Sequence, residues 1–312
     1  MTLIDPTLAE TVAAYRTCEF ATLGKDGSPV AWPTAAWLRE DGTLLVTTSL
    51  AFAQKALNVR RDPRVALLFS DPTGSGRPDA DQVLITGTAD CPDEIMAGPD
   101  GAEEYWRTLF RRQPHSRGYV GAPGRWFMDW YYLRLLITVT PTQVRVRPPL
   151  SDLLAPGRSG TDVPAPADGG APIGADLVGR FPTAVLAACD PTGAPLLART
   201  RVAATEGGFA MDPVADLRVA PGPAGLLVHR HDDRLSGMHN ALVRGELRSE
   251  GERWLLAPGR VVEPAGSGSL RDNLRTLSTA RKATARYLDR RSLPRPRVAW
   301  DRFADLAAQS RD

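Results

Sequence analysis

The chain has 312 residues, 43% of them hydrophobic and 24% charged, with 38 Lys+Arg against 36 Asp+Glu and a formal net charge of +2. That length suits two domains of ordinary size, the composition excludes disorder as the main state, and so even a balance argues against nucleic acid or a membrane surface and for a small-molecule partner. Cys18, Cys91 and Cys189 are odd in number and far apart, which excludes a disulfide framework and a cysteine zinc site and makes a reducing cytoplasm the expected location.

The first residues, Met1 to Pro6, lack a basic region followed by an apolar core, and no apolar run approaches the roughly 18 residues of a membrane helix. Asp5-Pro6 then predicts a short helix to Tyr15, with Asp capping the free amides and Pro in the first turn. Phe20–Leu23, Val30–Leu38 and Leu44–Thr48 are separated by Asp26-Gly27 and Asp41-Gly42, turn pairs that supply positive φ, so an antiparallel meander is predicted. Ser49 is placed to cap a helix through about Arg61, ended by Asp62-Pro63. Strands are predicted at Arg64–Ser70, Gln82–Ala89, Leu133–Thr140 and Gln143–Arg147, with helices at about 101–113 and 124–132.

Residues 148–175 are rich in Pro, Gly and Ala without a sustained period and are predicted to be a linker. Beyond them the earlier rhythm returns. Gly193 and Gly207 repeat Gly27 and Gly42, and the Leu-Val-Arg-Gly245 segment repeats Leu-Ile-Thr-Gly87, at offsets of 166, 165 and 158. A near-constant offset is the trace of an internal duplication, and one this long means tandem domains. The second copy departs where the first carries its capped helix: Asp212 to Ala224 contains Pro221 and Pro223, which limit a helix to a turn or two. Ser269 to about Asp289 and Val298 to about Gln309 are predicted as two tail helices.

The segment from Leu44 to Phe69 carries the strongest chemical signal. Hydroxyls at Thr47, Thr48 and Ser49 stand at a strand end that becomes a helix start, where donors and the positive dipole end suit a phosphate, and Lys55 adds a compact charge about two turns on. The alternative is an ordinary capping serine and a solvated lysine. This block, with its Asp62-Pro63-Arg64-Val65 strand start, resembles the flavin-binding split-barrel superfamily of pyridoxamine 5′-phosphate oxidase, over about residues 14–147 and more weakly over 180–264. The resemblance implies a mainly β (α+β) fold of two tandem Greek-key split β-barrels, with peripheral helices and a helical C-terminal tail. It also implies FMN, a deazaflavin coenzyme or haem in a cleft between barrels, in a homodimer or an intramolecular pseudo-dimer. The expected division is 1–147, a cofactor-binding barrel; 148–175, the linker; 176–268, a degenerate second barrel; and 269–312, the helical tail.

Within that resemblance Thr47, Thr48, Ser49, Lys55 and Arg61 are assigned to the phosphate end, Pro33, Thr34 and Ala35 to the flat ring, and Gln54 to cofactor binding beside them. The family commonly has a basic residue two before the lysine; here that position is Ala53, so phosphate binding is expected to be weaker or rerouted through Arg60, Arg61 or an arginine from another segment. Trp32 and Trp37 stack on a ring or simply pack. Arg125 and Trp126, in a run of five aromatics within seven residues, are assigned to the rim, against a core or interface stripe as the other reading. His229, His231 and His239 are the candidates for haem or a metal, or else a polar strand face at the domain contact. The expected function is a flavin- or deazaflavin-dependent oxidoreductase acting on a small organic substrate, with a haem-binding protein and a non-catalytic flavin-binding protein as alternatives. No side chain stands out as an obligate acid or base.

Overall fold

The computed structural model describes residues 3–155, 170–212, 214, 217–251, 253–263 and 270–310. In chain order the first half runs α1 (Pro6–Ala14), β1 (Cys18–Leu23), β2 (Pro29–Thr34), β3 (Ala36–Leu38), β4 (Leu44–Ser49), a 3-10 turn at Leu50–Phe52, α2 (Gln54–Arg61), β5 (Arg64–Phe69), β6 (Gln82–Asp90), α3 (Glu103–Arg112), α4 (Arg125–Tyr132) and β7 (Arg134–Arg147). Then follow α5 (Leu150–Leu154), α6 (Ala175–Val178), β8 (Ala184–Cys189), β9 (Pro195–Thr200), β10 (Ala203–Thr205), β11 (Gly208–Met211), β12 (Gly222–Arg230), β13 (His239–Glu250), β14 (Arg253–Val262), α7 (Leu270–Asp289) and α8 (Trp300–Gln309). Asp5 caps α1 as expected, accepting from the Leu8 amide at 2.8 Å.

Two seven-stranded antiparallel sheets carry the fold, in the orders β2-β1-β5-β6-β7-β4-β3 and β10-β11-β14-β13-β12-β8-β9. Read from the β9 edge, the second is the first repeated strand for strand. Registers agree as well: Cys18 pairs Thr34 in β1–β2, and Ala184 pairs Thr200 in β8–β9, both at the offset of 166. In each sheet a bulge falls at the same glycine, Gly87 in β6 and Gly245 in β13. The reason for glycine is contact with the neighbouring strand: a Cβ on Gly87 would lie 2.2 Å from the Thr140 carbonyl oxygen, and one on Gly245 2.0 Å from that of Ala257.

The predicted meander is corrected. Val30–Leu38 is not one strand but β2 and β3, broken at Ala35, and the two pieces occupy opposite edges of their sheet. Consecutive segments can reach opposite edges only if the sheet curls until those edges meet, which makes it a split barrel. Leu133–Arg147, expected as two strands, is the single long β7. The expected linker contains α5; residues 156–169 of it, and 264–269 before α7, lie outside the described residues.

Each barrel has its own core, around Phe20, Val46, Leu67 and Ile137 in the first and Leu186, Phe209, Leu226 and Val243 in the second. A third apolar layer joins them face to face: Ala21, Ala31, Ala66, Leu68 and Leu84 against Val185, Ala187, Leu197, Leu227 and Leu242. The tail does not stand apart. Tyr287 and Leu288 of α7 enter the first core, and Phe303, Leu306 and Ala307 of α8 pack with Trp106 and Tyr132 outside β4.

Candidate functional site

The strand end at Thr47 to Ser49 is buried, and its hydroxyls have different surroundings. Thr47 Oγ1 donates to the Tyr105 hydroxyl at 3.1 Å and accepts from Arg134 at 2.7 Å, and Thr48 Oγ1 donates to the Phe52 carbonyl at 2.8 Å. Ser49 does not cap α2: the 3-10 turn intervenes, the helix starts at Gln54, and no side chain caps either element. The expected cap is corrected because the residues after Ser49 tighten into a separate turn before the α-helix begins.

Lys55 projects from the first turn of α2 toward β2, its ammonium 5.6 Å from the centre of the Trp32 ring. Desolvation, and then repulsion from Arg134, pull its pKa down to about 8, and among the described residues no carboxylate pairs with it. Arg134 lies over the Trp106 and Tyr131 rings at 5.0 and 4.4 Å. Two cations therefore stand behind the β4 end with aromatic faces in place of acids.

Gln54 and Arg61 face elsewhere. The Gln54 amide donates to Asn58 at 2.7 Å, and Arg61, at the far end of α2, donates to the Leu23 carbonyl at 2.6 Å. Arg61 lines a separate open cleft of about 360 Å³ with Lys25, Arg64 and Cys189. It does not share the position of Lys55. Arg60, the other substitute considered, is bound to Asp93 at 2.5 Å and to the Cys91 carbonyl at 2.8 Å.

Three buried donors without partners belong to the elements that meet at the 3-10 turn: Ser49 Oγ at the end of β4, Trp130 Nε1 of α4 and Thr284 Oγ1 of α7. Trp130 belongs to α4, its ring 6.2 Å from that of Phe52 in the turn, and Thr284 to α7, which packs on both. An indole N–H can only donate and hydroxyls can donate, so with the Lys55 ammonium the donor set suits an acceptor-rich group such as a phosphate. Arg125 and Trp126 are exposed on α4, and the Trp126 carbonyl accepts from Arg281 of α7 at 3.4 Å.

The ring end is different. Pro33 and Thr34 close β2, and Ala35 borders a cavity of only about 10 Å³, shared with Trp37, Tyr105, Arg112 and Leu235. Leu235 comes from the β12–β13 hairpin of the second barrel, is 4% exposed and has φ +53°. A bulky residue held in that region is strained by about 1 kcal/mol or more and persists only where its surroundings impose it. Leu235 thus fills the space beside Ala35, the residue expected at the flat ring, and leaves only this small cavity there.

The histidines do not converge. His229 lies in β12 with Nε2 2.6 Å from Glu19, His231 follows the strand and meets Thr17 at 3.0 Å, and His239 stacks on Phe181 at 5.9 Å. Among the described residues no group of three or more His, Cys, Asp or Glu could hold a metal ion. The polar contact between barrels, given above as the other reading, is what His229 makes. Arg134 and Leu235, which shape this site, have no local motif. The one available hint is Arg134 directly before the apolar run Leu135-Leu136-Ile137.

Residues 4–110 match the model of the family described as pyridoxamine 5′-phosphate oxidase. No curated protein matches. Among solved structures, a conserved hypothetical protein from Mycobacterium tuberculosis aligns at 23% identity and TM-score 0.34, covering 46% of this chain and 84% of that one. An F420 reductase aligns at 22% identity and TM-score 0.31, covering 44% and 94%. The heme storage protein HutZ from Vibrio cholerae aligns at 15% identity and TM-score 0.32, covering 47% and 97%. No helix among the described residues is long and apolar enough to cross a membrane.

Proposed function

We propose that this chain, whose residues 4–110 match the pyridoxamine 5′-phosphate oxidase family, binds a flavin or deazaflavin coenzyme on its first barrel and acts as an oxidoreductase on a small organic substrate. The observation that carries the reading is the Lys55 ammonium, desolvated against Trp32 and without a carboxylate among the described residues. A phosphate would supply the missing counter-charge. Ser49, Trp130 and Thr284 would donate to it from the turn, α4 and α7, while Arg125 and Trp126 border the entry. Pro33 through Ala35 would present backbone and small side chains to the ring once the hairpin moves. When bound, the coenzyme supplies hydride chemistry; the chain binds, orients and shields it. The odd, separated cysteines fit a cytoplasmic protein.

Leu235 in the ring end favours a second reading, a protein that holds the coenzyme or another phosphate ligand without turnover. The absorbance spectrum of freshly purified protein, followed by calorimetric titration with FMN and with the deazaflavin coenzyme, tests the first proposal. A flavin or deazaflavin spectrum, or saturable binding lost in Lys55→Met, supports it. A Soret band would transfer the site to haem, and a colourless protein that binds neither coenzyme overturns the reading. Binding without reduction of any acceptor would leave the second.

A further inference from the structure

The face between the barrels holds a charge cluster that the coenzyme site does not use. Glu19 of β1 is fully buried, and its carboxylate meets Arg199 of β9 at 2.8 Å, His229 of β12 at 2.6 Å and Ser70 at 2.8 Å. Arg199 also donates to Ser70 at 2.8 Å and to Thr183 at 3.1 Å. Burial alone would raise the Glu19 pKa; the Arg199 charge and the His229 hydrogen bond outweigh it, and the carboxyl is held below its ordinary range. Glu19 belongs to one barrel and its cation to the other.

The duplication shows what each residue replaces. In β1–β2, Glu19 pairs Pro33; in β8–β9, the equivalent pair is Val185 and Arg199. By the registers of β1–β5 and β8–β12, Ser70 is the counterpart of His229. Ala21 and Ala187, Leu68 and Leu227, and Leu84 and Leu242 are likewise equivalent, so these apolar pairs would suit either barrel against its own kind, whereas Ala31 of the first barrel is replaced by Leu197 in the second. The charged part is not symmetric. Two first barrels placed face to face would set each Glu19 against a proline and a serine, burying two carboxylates without a cation. Two second barrels would set each Arg199 against a valine, burying two guanidiniums without an acid. Only unlike barrels satisfy both groups.

We propose that the Glu19–Arg199 pair makes this face heterotypic: the partner it fits is the unlike barrel, in the same chain or in another copy, and never its own kind. The apolar pairs that recur in both barrels supply adhesion without choice, and the ion pair supplies the charge that chooses. Neither group takes part in the coenzyme reading above, so the inference stands or falls separately from it.

Charge reversal in the full chain tests it. E19R sets two guanidiniums together and R199E two carboxylates, so each variant alone is expected to lose its closed monomer and unfold at lower denaturant. Refolded together, the first barrel of the E19R chain can take the second barrel of the R199E chain, while the unaltered first barrel of the R199E chain takes the unaltered second barrel of the E19R chain. A reciprocal dimer at twice the 33.7 kDa chain mass is expected from the mixture and from neither variant alone, read by light scattering behind gel filtration. Single variants that remain monomers with the parental midpoint overturn the proposal, as does a mixture without the dimer. If the reversals prevent folding altogether, E19V, R199L and their double variant decide the matter. A double variant that recovers most of the midpoint lost by the singles supports the pair, and additive losses overturn it.

Discussion

Lys55→Met should make the empty protein more stable while removing its capacity for the coenzyme. An exposed surface lysine would show neither effect. The Lys55 pKa falls from 10.5 to about 8 through desolvation and Arg134. At about 1.4 kcal/mol per unit this is a ceiling of roughly 3 kcal/mol, and because part of the side chain reaches solvent, about 1–2 kcal/mol is realistic. Losing the ring contact with Trp32 takes back about 0.5–1 kcal/mol, so a gain of about 1 kcal/mol is expected at pH 7. The sign follows from the protons. Between pH 8 and 10.5 the unfolded chain holds a proton that the folded lysine has released, so parental stability rises with pH there, and the penalty is fully present only below pH 8. Urea unfolding of parent and variant at steps from pH 7 to 10.5 should therefore show the advantage of Lys55→Met shrinking as pH rises. A variant less stable than the parent at pH 7, or a difference that does not change with pH, would refute the reasoning.

The bulge glycines should be intolerant of a side chain in both barrels. Gly87→Ala and Gly245→Ala each force a carbonyl from within about 2.2 Å, and each should cost about 2–3 kcal/mol in denaturant unfolding. Gly27→Ala, at φ +76° but with nothing within 4 Å, should cost only about 1 kcal/mol; equal losses at the three sites would show that close approach is not the cause. Thr284→Val removes a buried hydroxyl without a partner, so the empty protein should melt at the parental temperature or slightly above, by up to about 1 kcal/mol. The same variant should bind the coenzyme more weakly by calorimetry, and undiminished affinity would take α7 out of the site.

Much of the fold could be seen in the sequence because duplication records tertiary structure as spacing. The offset of 166 from Gly27 to Gly193 predicts the register by which Glu19 and Val185 become equivalent, and the offset of 158 from Gly87 to Gly245 marks the shared bulge. The β2–β3 break was hidden. Val30 to Leu38 has one continuous strand-like pattern, and only closure of the barrel decides that its halves pair with β1 and β4. Ser49 misled for a related reason: a hydroxyl before a helical pattern suits a cap, whereas the 3-10 turn that displaces the helix start is held by packing from α4 and α7. The docking of α7 on a turn more than 200 residues earlier has no local signature. Glu19 was equally silent, because a single acid between Cys18 and Phe20 gains meaning only from a cation 180 residues away.

Fusing two barrels in one chain changes what their contact can encode. In a two-fold dimer of identical barrels every residue near the axis occurs twice, so an acid placed there brings a second acid with it and must find its cation within the same sequence. Duplication removes that constraint, and the two copies have diverged along it. The first keeps α2 with Lys55; among the described residues 217–220 of the second there is no helix in its place. The second supplies Arg199 and His229 to the shared face and Leu235 to the small cavity beside Ala35 of the first. These differences run in one direction, from a barrel that carries the candidate site to a barrel that braces and covers it. Because the same β12–β13 hairpin carries Leu235 and follows directly from His229, the keyed contact also determines where that covering residue sits. Loosening the Glu19 cluster should therefore change the packing of Leu235 against Ala35 without touching Lys55.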